Sequence, residues 1–483
     1  MIDTPEEKAK HRVRQLIWIY FWLLLIEGAL RKWVAPALSN PLLLIRDPVL
    51  LGIYYYALRG RVFPKNFWVN SLWVIGILSI IGSLLFATFN LLSPFVPIVP
   101  ILEVAAYGVR TNFLHLPVIF IMANVFDEED VKRFGWWILL LMIPMSLIMV
   151  AQFQASPDSF INRTAGLGEA EQLTAGGGKI RPPGTFSFIS GPVFYMSVAA
   201  AFLIYGALSR GVYKNWLLLS SAAALVLGIS VSGSKSAVAS VLLVVIAAAT
   251  IVMVRPRAMN RLGWTLVVGV IGALALSYLP IFNEGVKILS DRFTSAAEAA
   301  ETTVVWGMID RVIGDFTEGF QNMDKYPLFG HGLGLGTNVA GRILLGRAAF
   351  ILAEREWTRV LGESGAILGL TFLFWRTLLT LRLGQLSFRA LKRDSLLPIL
   401  LFGCSGVVLL NGQLGQPTTL GFVVLLNGLC LASTRPRVID SSANDEPPDD
   451  EPPMKRLPRR SAFADRLHQP GIGAEQNNGF ADR

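Results

Sequence analysis

The chain is short of charge and nearly devoid of cysteine. Only 16% of its 483 residues are Asp, Glu, Lys or Arg, against roughly 25% in an average soluble domain, so it lacks the polar surface of a water-soluble globule. Cys404 and Cys430, the two cysteines, both fall inside apolar runs. That excludes a disulfide framework, and a cysteine metal site would want for further ligands. The first apolar run ends at Arg31-Lys32-Trp33 without a small-residue cleavage site, so it reads as a signal-anchor span and not a removable leader. No repeat of fixed period is present, nor a matched pair of broken helices relating one half to the other. The net charge of +9, from 43 basic and 34 acidic residues, is scattered between apolar runs and is no nucleic-acid footprint.

What is present is apolar: 53% of residues are hydrophobic and the mean hydropathy is +0.52. The sequence predicts an all-α integral membrane protein with about twelve crossings, each needing about 20 apolar residues. They are expected at Gln15–Leu30, Pro41–Leu58, Phe67–Phe86, Thr111–Val125, Trp136–Phe153, Gly191–Leu208, Trp216–Val231, Ser236–Val254, Gly263–Tyr278, Val360–Leu381, Leu397–Leu410 and Thr418–Leu431. Trp18, Trp33, Trp68, Trp136, Trp137 and Trp216 lie near span ends, where an indole suits the interface.

Alternate connections carry the cations: Lys8/Lys10/Arg12/Arg14, Arg59/Arg61/Lys65, Lys132/Arg133, Arg210/Lys214, Arg255/Arg257/Arg261 and Arg382/Arg389/Lys392/Arg393. The intervening short loops hold little beyond Arg31, Lys32, Arg110 and Lys235. The positive-inside rule then puts both termini in the cytoplasm. The expected organisation is a cytoplasmic N-terminus (1–14), a membrane domain (15–433) with two outer loops, 154–190 and 283–359, and a tail from 434 to 483. The second loop, between the ninth and tenth helices, is the large one. The tail, Asp/Glu/Pro-rich and then basic, cannot bury a core and is expected to be disordered.

The unusual residues sit on the outer side. In the first outer loop, Gly176-Gly177-Gly178 and Pro182-Pro183-Gly184 flank Arg181 and present it at the mouth of the next span. Ser232-Gly233-Ser234-Lys235-Ser236 sets a cation among hydroxyls at a helix N-terminus, a place suited to an anion. The large loop holds an expected amphipathic helix, with Ser295 and Glu298 spaced as a capping box. Arg311 follows, then Pro327-Leu328-Phe329-Gly330-His331-Gly332-Leu333-Gly334-Leu335-Gly336. No strand precedes these glycines, so a nucleotide loop is excluded; they are expected to let the backbone fold closely beneath a substrate. Glu354-Arg355-Glu356 leads into Arg359 and Glu363, with Glu356, Arg359 and Glu363 on one helical face. Glu363 lies within an apolar run, where a carboxylate needs a wet cavity or a cation. Arg46-Asp47 reads as a structural pair of adjacent opposite charges. Arg110, Arg181, Lys235, Arg311 and Arg359 thus form an expected outward, cation-rich hollow, and arginine forks match phosphate oxygens.

Arg181-x-x-Gly-Thr-Phe186, Ser232-Gly-Ser-Lys-Ser-Ala237, the Pro327 glycine motif and Glu363-Ser-Gly365 resemble, in order and sidedness, the O-antigen ligase / Wzy polymerase superfamily over about Arg110 to Leu381. The resemblance implies a GT-C-like glycosyltransferase that needs neither metal nor cofactor. It would act at the outer face of a bacterial inner membrane, moving a glycan from undecaprenyl pyrophosphate onto a glycan or lipid acceptor. Arg181 would bind the donor pyrophosphate, with Lys235 at a position where many members have Arg, and Arg311 as a further contact. The family's late loop histidine is missing. His331, Glu354 or Glu356 would activate the acceptor hydroxyl, with Glu356 favoured. The rival expectation is a multi-pass transporter or flippase of lipid-linked oligosaccharide.

Overall fold

The computed structural model describes residues 4–87, 98–165, 172–256, 263, 272, 274–299, 314–321, 323–347 and 349–435. All of these belong to one compact unit, Met1–Pro436. The tail beyond Pro436, like Arg311, lies outside the described residues.

The described residues are predominantly helical, and their apolar helices are those of a membrane protein. Its helices are α1 (Pro5–Ala29), α2 (Asp47–Arg59), α3 (Phe67–Gly82), α4 (Ile98–Val109), α5 (Val118–Val125), α6 (Glu128–Gln154), α7 (Ser190–Leu208), α8 (Asn215–Val231), α9 (Lys235–Val254) and α10 (Pro280–Ala299). After α11 (314–321) come α12 (Asn338–Leu345), α13 (Glu356–Ser364), α14 (Leu370–Lys392), α15 (Leu397–Asn411) and α16 (Pro417–Ser433). Among the described residues, eight helical stretches are long and apolar enough to cross a membrane, and α8, α15 and α16 are shorter apolar helices. Each of these overlaps one expected crossing. The expected crossing Gly263–Tyr278 falls mostly outside the described residues.

Helix starts follow from local chemistry. Thr4 and Glu7 form a capping box on α1, as do Asp127 and Asp130 on α6, and Ser234 and Thr337 cap α9 and α12. Each cap satisfies an N–H that has no partner in the first turn. The expected box at Ser295 and Glu298 is not one. Ser295 lies inside α10, its hydroxyl donating to the Asp291 carbonyl at 2.8 Å, because that helix begins earlier, at Pro280.

Among the described residues, four π-helical turns interrupt the bundle, at Leu30–Val34, Ser83–Ala87, Arg110–Leu114 and Gly365–Gly369. Such turns shift helical register and so re-aim the residues they carry. Two corrections to the expected spans come with them. Arg110 lies inside the stretch Val99–Val125, not at its start, and the stretch Glu356–Lys392 already contains Glu356 and Arg359, which were placed in the loop.

α16 is the axial helix. Every residue from Thr418 to Cys430 is buried, as befits a helix apolar on all sides. It packs on α15, α5 and α7. Small residues allow this: a Cβ on Gly428 would lie 2.3 Å from the Met122 sulfur, and one on Gly421 would lie 2.1 Å from Arg46 Nη1.

Connections gather at two ends. At the N-terminal end Arg14 donates to the Val125 carbonyl at 2.8 Å, Asn124 to Val62 at 3.2 Å, and Tyr213 to Lys132 at 3.0 Å. At the opposite end Arg31 donates to Ser187 at 3.0 Å, Arg342 to Asn40 at 2.9 Å, and Gln413 to the Glu354 carbonyl at 2.8 Å. The residues expected on one face of the membrane therefore meet at one end of the bundle.

Candidate functional site: a cationic cavity between α7, α9 and α15

Arg181 follows a β-hairpin, β1 (Thr174–Gly176) and β2 (Lys179–Ile180). Gly177 and Gly178 turn it with φ of +58° and +74°, the paired left-handed geometry that suits a tight hairpin. The segment after Arg181 is clamped. Gly184 donates to the Gln152 side chain at 2.8 Å, and its carbonyl accepts from buried Lys32 at 2.7 Å. Thr185 donates to Leu25 at 2.7 Å, and the Phe186 ring is buried beside Tyr195 and Phe422. Gly28 of α1 gives room, since a Cβ there would sit 2.2 Å from the Ser187 nitrogen.

Lys235 is brought to the same place by its glycine-containing turn. Gly233 has φ +53°, and a Cβ on it would lie 2.8 Å from the Ala175 Cβ of the hairpin and 3.8 Å from Arg181 Cγ. α10 supplies a third cation. Its Arg292 donates to the Thr174 carbonyl at 3.0 Å, and Arg181 donates to that same oxygen at 3.1 Å. Two guanidinium groups so placed repel one another unless negative charge lies nearby.

These residues line a cavity of about 340 Å³. Its rim carries Arg181, Lys235, Arg292 and Arg355 with the carboxylate Asp315, four cations against one anion among the described residues. Uncharged polar groups come from Ser190, Asn411, Gln413, Gln416 and Thr419, with Ser234, Ser236 and Ser240 from the α9 side. Val193, Phe194, Leu243, Val407 and Val408 add apolar surface. Leu243 lies two turns below Lys235 on α9, so the apolar wall descends about 12 Å into the bundle.

Asp315, near the start of α11, faces Arg355 at 3.9 Å, and Arg355 is held closer, at 2.9 Å, by Glu318. Burial outweighs the Arg355 charge and pushes the Asp315 carboxyl up to about 6.

The other expected residues are elsewhere. Glu356 is fully buried: Arg359 donates to both its oxygens at 2.9 Å, and Arg376 donates at 2.6 Å. Arg359 is also bound by Glu363 at 2.7 Å and by Asn112 at 2.9 Å. Neither lines the cavity. Glu356 is therefore a strut saturated by two guanidinium groups, not a carboxylate poised over an acceptor, and Arg359 is spent inside the protein. Glu354 is exposed beside the rim, contributing its backbone carbonyl to Gln413. His331 donates its backbone N–H to the Gly362 carbonyl at 2.8 Å, its ring does not line the cavity, and burial holds its imidazole below the usual range.

The glycine motif does bring backbones close, here to neighbouring protein segments. A Cβ on Gly330 would lie 2.3 Å from the Glu363 carbonyl, and one on Gly334 2.1 Å from that of Val104. Gly336 donates to the Glu363 carboxylate at 3.0 Å. Arg110 is likewise engaged away from the cavity, gripping Asp47 at 2.6 and 2.8 Å. Arg46 and Asp47 do not pair with each other. Arg46 contacts Glu27 at 3.2 Å, and Asp47 takes Arg110 and lies 3.2 Å from His115. Among the expected cations, then, Arg181 and Lys235 come together, while Arg110 and Arg359 do not join them.

No protein-family model, curated protein or solved structure matches the chain. The cavity has to speak for itself. Reading the sequence missed Arg292, Arg355, Asp315 and the amide wall of Asn411, Gln413 and Gln416. Their signal was faint: polar residues near apolar runs, separated in sequence by as much as 124 positions.

Proposed function

We propose that the chain is a glycosyltransferase of the O-antigen ligase/polymerase kind, taking a glycan from undecaprenyl pyrophosphate at the periplasmic face of a bacterial inner membrane. The observation that carries this reading is one cavity holding four cations at its rim and an apolar wall that runs down into the bundle. An anionic head group on a lipid tail has that shape and polarity. The amide and hydroxyl wall offers donors and acceptors to sugar hydroxyls. The positive-inside rule, applied to the Lys/Arg-rich connections at the N-terminal end, puts the cavity on the periplasmic side and both termini in the cytoplasm.

In this reading Arg181, Lys235 and Arg292 hold the diphosphate, while Arg355 stays paired with Glu318. The acceptor hydroxyl attacks the anomeric carbon from the opposite side, inverting it as the diphosphate leaves. Preorganised cations stabilise the charge gathering on the leaving group, the contribution that usually dominates such catalysis. The chain's residues supply this without reorganising, because Arg181 is fixed by the clamped segment behind it.

Purified protein in liposomes, given a polyprenyl-diphosphate oligosaccharide and an acceptor, is the test. The native chain should transfer the glycan, and Arg181→Ala should slow transfer by about 10²–10³-fold, the usual cost of one electrostatic donor. Transfer undiminished in a well-folded Arg181→Ala protein refutes the reading. Translocation of the lipid-linked glycan without any transfer would establish the flippase alternative instead.

A further inference from the structure

We infer that Asp315 is the group that accepts the proton of the acceptor hydroxyl, an inference that rests on the glycosyl-transfer reading above. Among the described residues the cavity lining presents one carboxylate, and it is Asp315. The acidic and imidazole groups expected from sequence are disqualified by position. Glu356 spends both oxygens on Arg359 and Arg376, while Glu354 and His331 lie outside the lining. Asp315 lines the same cavity as the amide side chains of Asn411, Gln413 and Gln416, which offer sugar hydroxyls both donors and acceptors.

Its surroundings suit a base. Arg355, just ahead of α13, faces it at 3.9 Å and is drawn off by Glu318 at 2.9 Å, so among the described residues no ion pair closer than 3.9 Å holds the carboxylate. Glu318 on its own helix and Glu356 on α13 raise its proton affinity, Arg376 on α14 lowers it, and Arg181, Lys235 and Arg292 stand on the other walls. With burial the group titrates at about 6. It is thus mostly ionised at neutral pH yet more basic than an ordinary aspartate, the balance a general base needs.

The step balances. The acceptor oxygen forms its bond to the anomeric carbon while its proton passes to an Asp315 oxygen. The bond from the anomeric carbon to the phosphate oxygen breaks, and its electron pair departs on the polyprenyl diphosphate. Diphosphate leaves without needing an acid, and the proton on Asp315 returns to solvent through the open rim.

The test is the pH dependence of transfer in liposomes, with native protein, Asp315→Asn and Asp315→Glu, beside binding of the lipid diphosphate. Native kcat should show an acid limb near pH 6. Asp315→Asn should lose about 10²–10⁴-fold in kcat and lose the limb. Its affinity for the diphosphate should be equal or tighter, since a negative charge has left a cationic site, and that would rule out mere misfolding. Asp315→Glu should recover part of the rate. An Asn variant within threefold of native kcat, or one keeping the same acid limb, overturns the role of Asp315 and leaves the transfer reading standing. A native protein that transfers nothing at any pH overturns both.

Discussion

Replacing Arg376 with methionine tests whether the charge cluster inside the bundle is structural. Glu356, Glu363, Arg359 and Arg376 expose between 0 and 3% of their side chains, and two negative charges balance two positive ones. Arg376 donates to Glu356 at 2.6 Å, to the Leu409 carbonyl at 2.8 Å and to that of Gly412 at 2.9 Å. Methionine fills similar volume but leaves one uncompensated buried negative charge, worth about 3–5 kcal/mol when a buried pair is broken. The two carbonyls at the end of α15 lose their donor as well. Because Asn411, Gly412 and Gln413 line the cavity, its uncharged polar wall should loosen too. The assay is the melting of purified protein in detergent, repeated on Glu356→Gln and on the double variant. Arg376→Met should melt far below the native protein. The double variant should lose less than the two single losses added, by about 0.5–3 kcal/mol of coupling. A loss under about 1 kcal/mol from Arg376→Met, or strict additivity, would show that the pair is not the balanced strut described above.

Gly330→Ala should reduce the yield of folded protein sharply, since φ is +78° and the new Cβ would lie 2.3 Å from the Glu363 carbonyl. Gly178→Ala, with φ +74° and nothing within 4 Å, should cost only the left-handed strain of about 1–2 kcal/mol; extraction and size-exclusion profiles of the two distinguish them. Asp315→Asn should raise the melting temperature at pH 7.5 and leave it unchanged near pH 3.5. The sign follows from a folded-state value of about 6 against 3.8 for an ordinary aspartate. Between those values the unfolded chain ionises while the folded one stays protonated, so native stability falls as pH rises through that window and stays lowered above it. Equal melting of variant and native protein at pH 7.5 would show that Asp315 carries no such burden.

The apolar helices were legible because apolar length is a one-dimensional property. α9, α14 and α16 appear in the sequence as predominantly apolar runs, and the chain itself delimits them. Arg181 and Lys235 were legible for a related reason. Each sits in a stretch of glycine, proline or serine that only a turn explains, and the turns do place them together at the cavity. Pairing was not legible. Arg46 and Asp47 are neighbours in sequence, yet the helical start at Asp47 sends them to different partners, Glu27 and Arg110. Glu356 was expected to act on the acceptor hydroxyl while Arg359, one turn on, held it in place. Its second cation, Arg376, lies 20 residues on, past a π-helical turn that resets the register. The glycine motif announced close backbone approach correctly but could not say to what, because its contacts, Val104 and Glu363, come from two other segments. Asp315 left no local signature, since its burial is made by α13 and the cavity walls.

Direct binding of undecaprenyl diphosphate to the purified protein in nanodiscs bears most closely on the central claim, that Arg181 and Lys235 share one lipid-diphosphate cavity. The native protein should bind the diphosphate and not the uncharged polyprenol. Arg181→Ala and Lys235→Ala should each weaken binding about tenfold or more, as loss of a charge-assisted contact of about 1.5–3 kcal/mol requires, while Lys235→Arg keeps it. Equal affinity in the native protein and both alanine variants, with all three folded, would contradict the account.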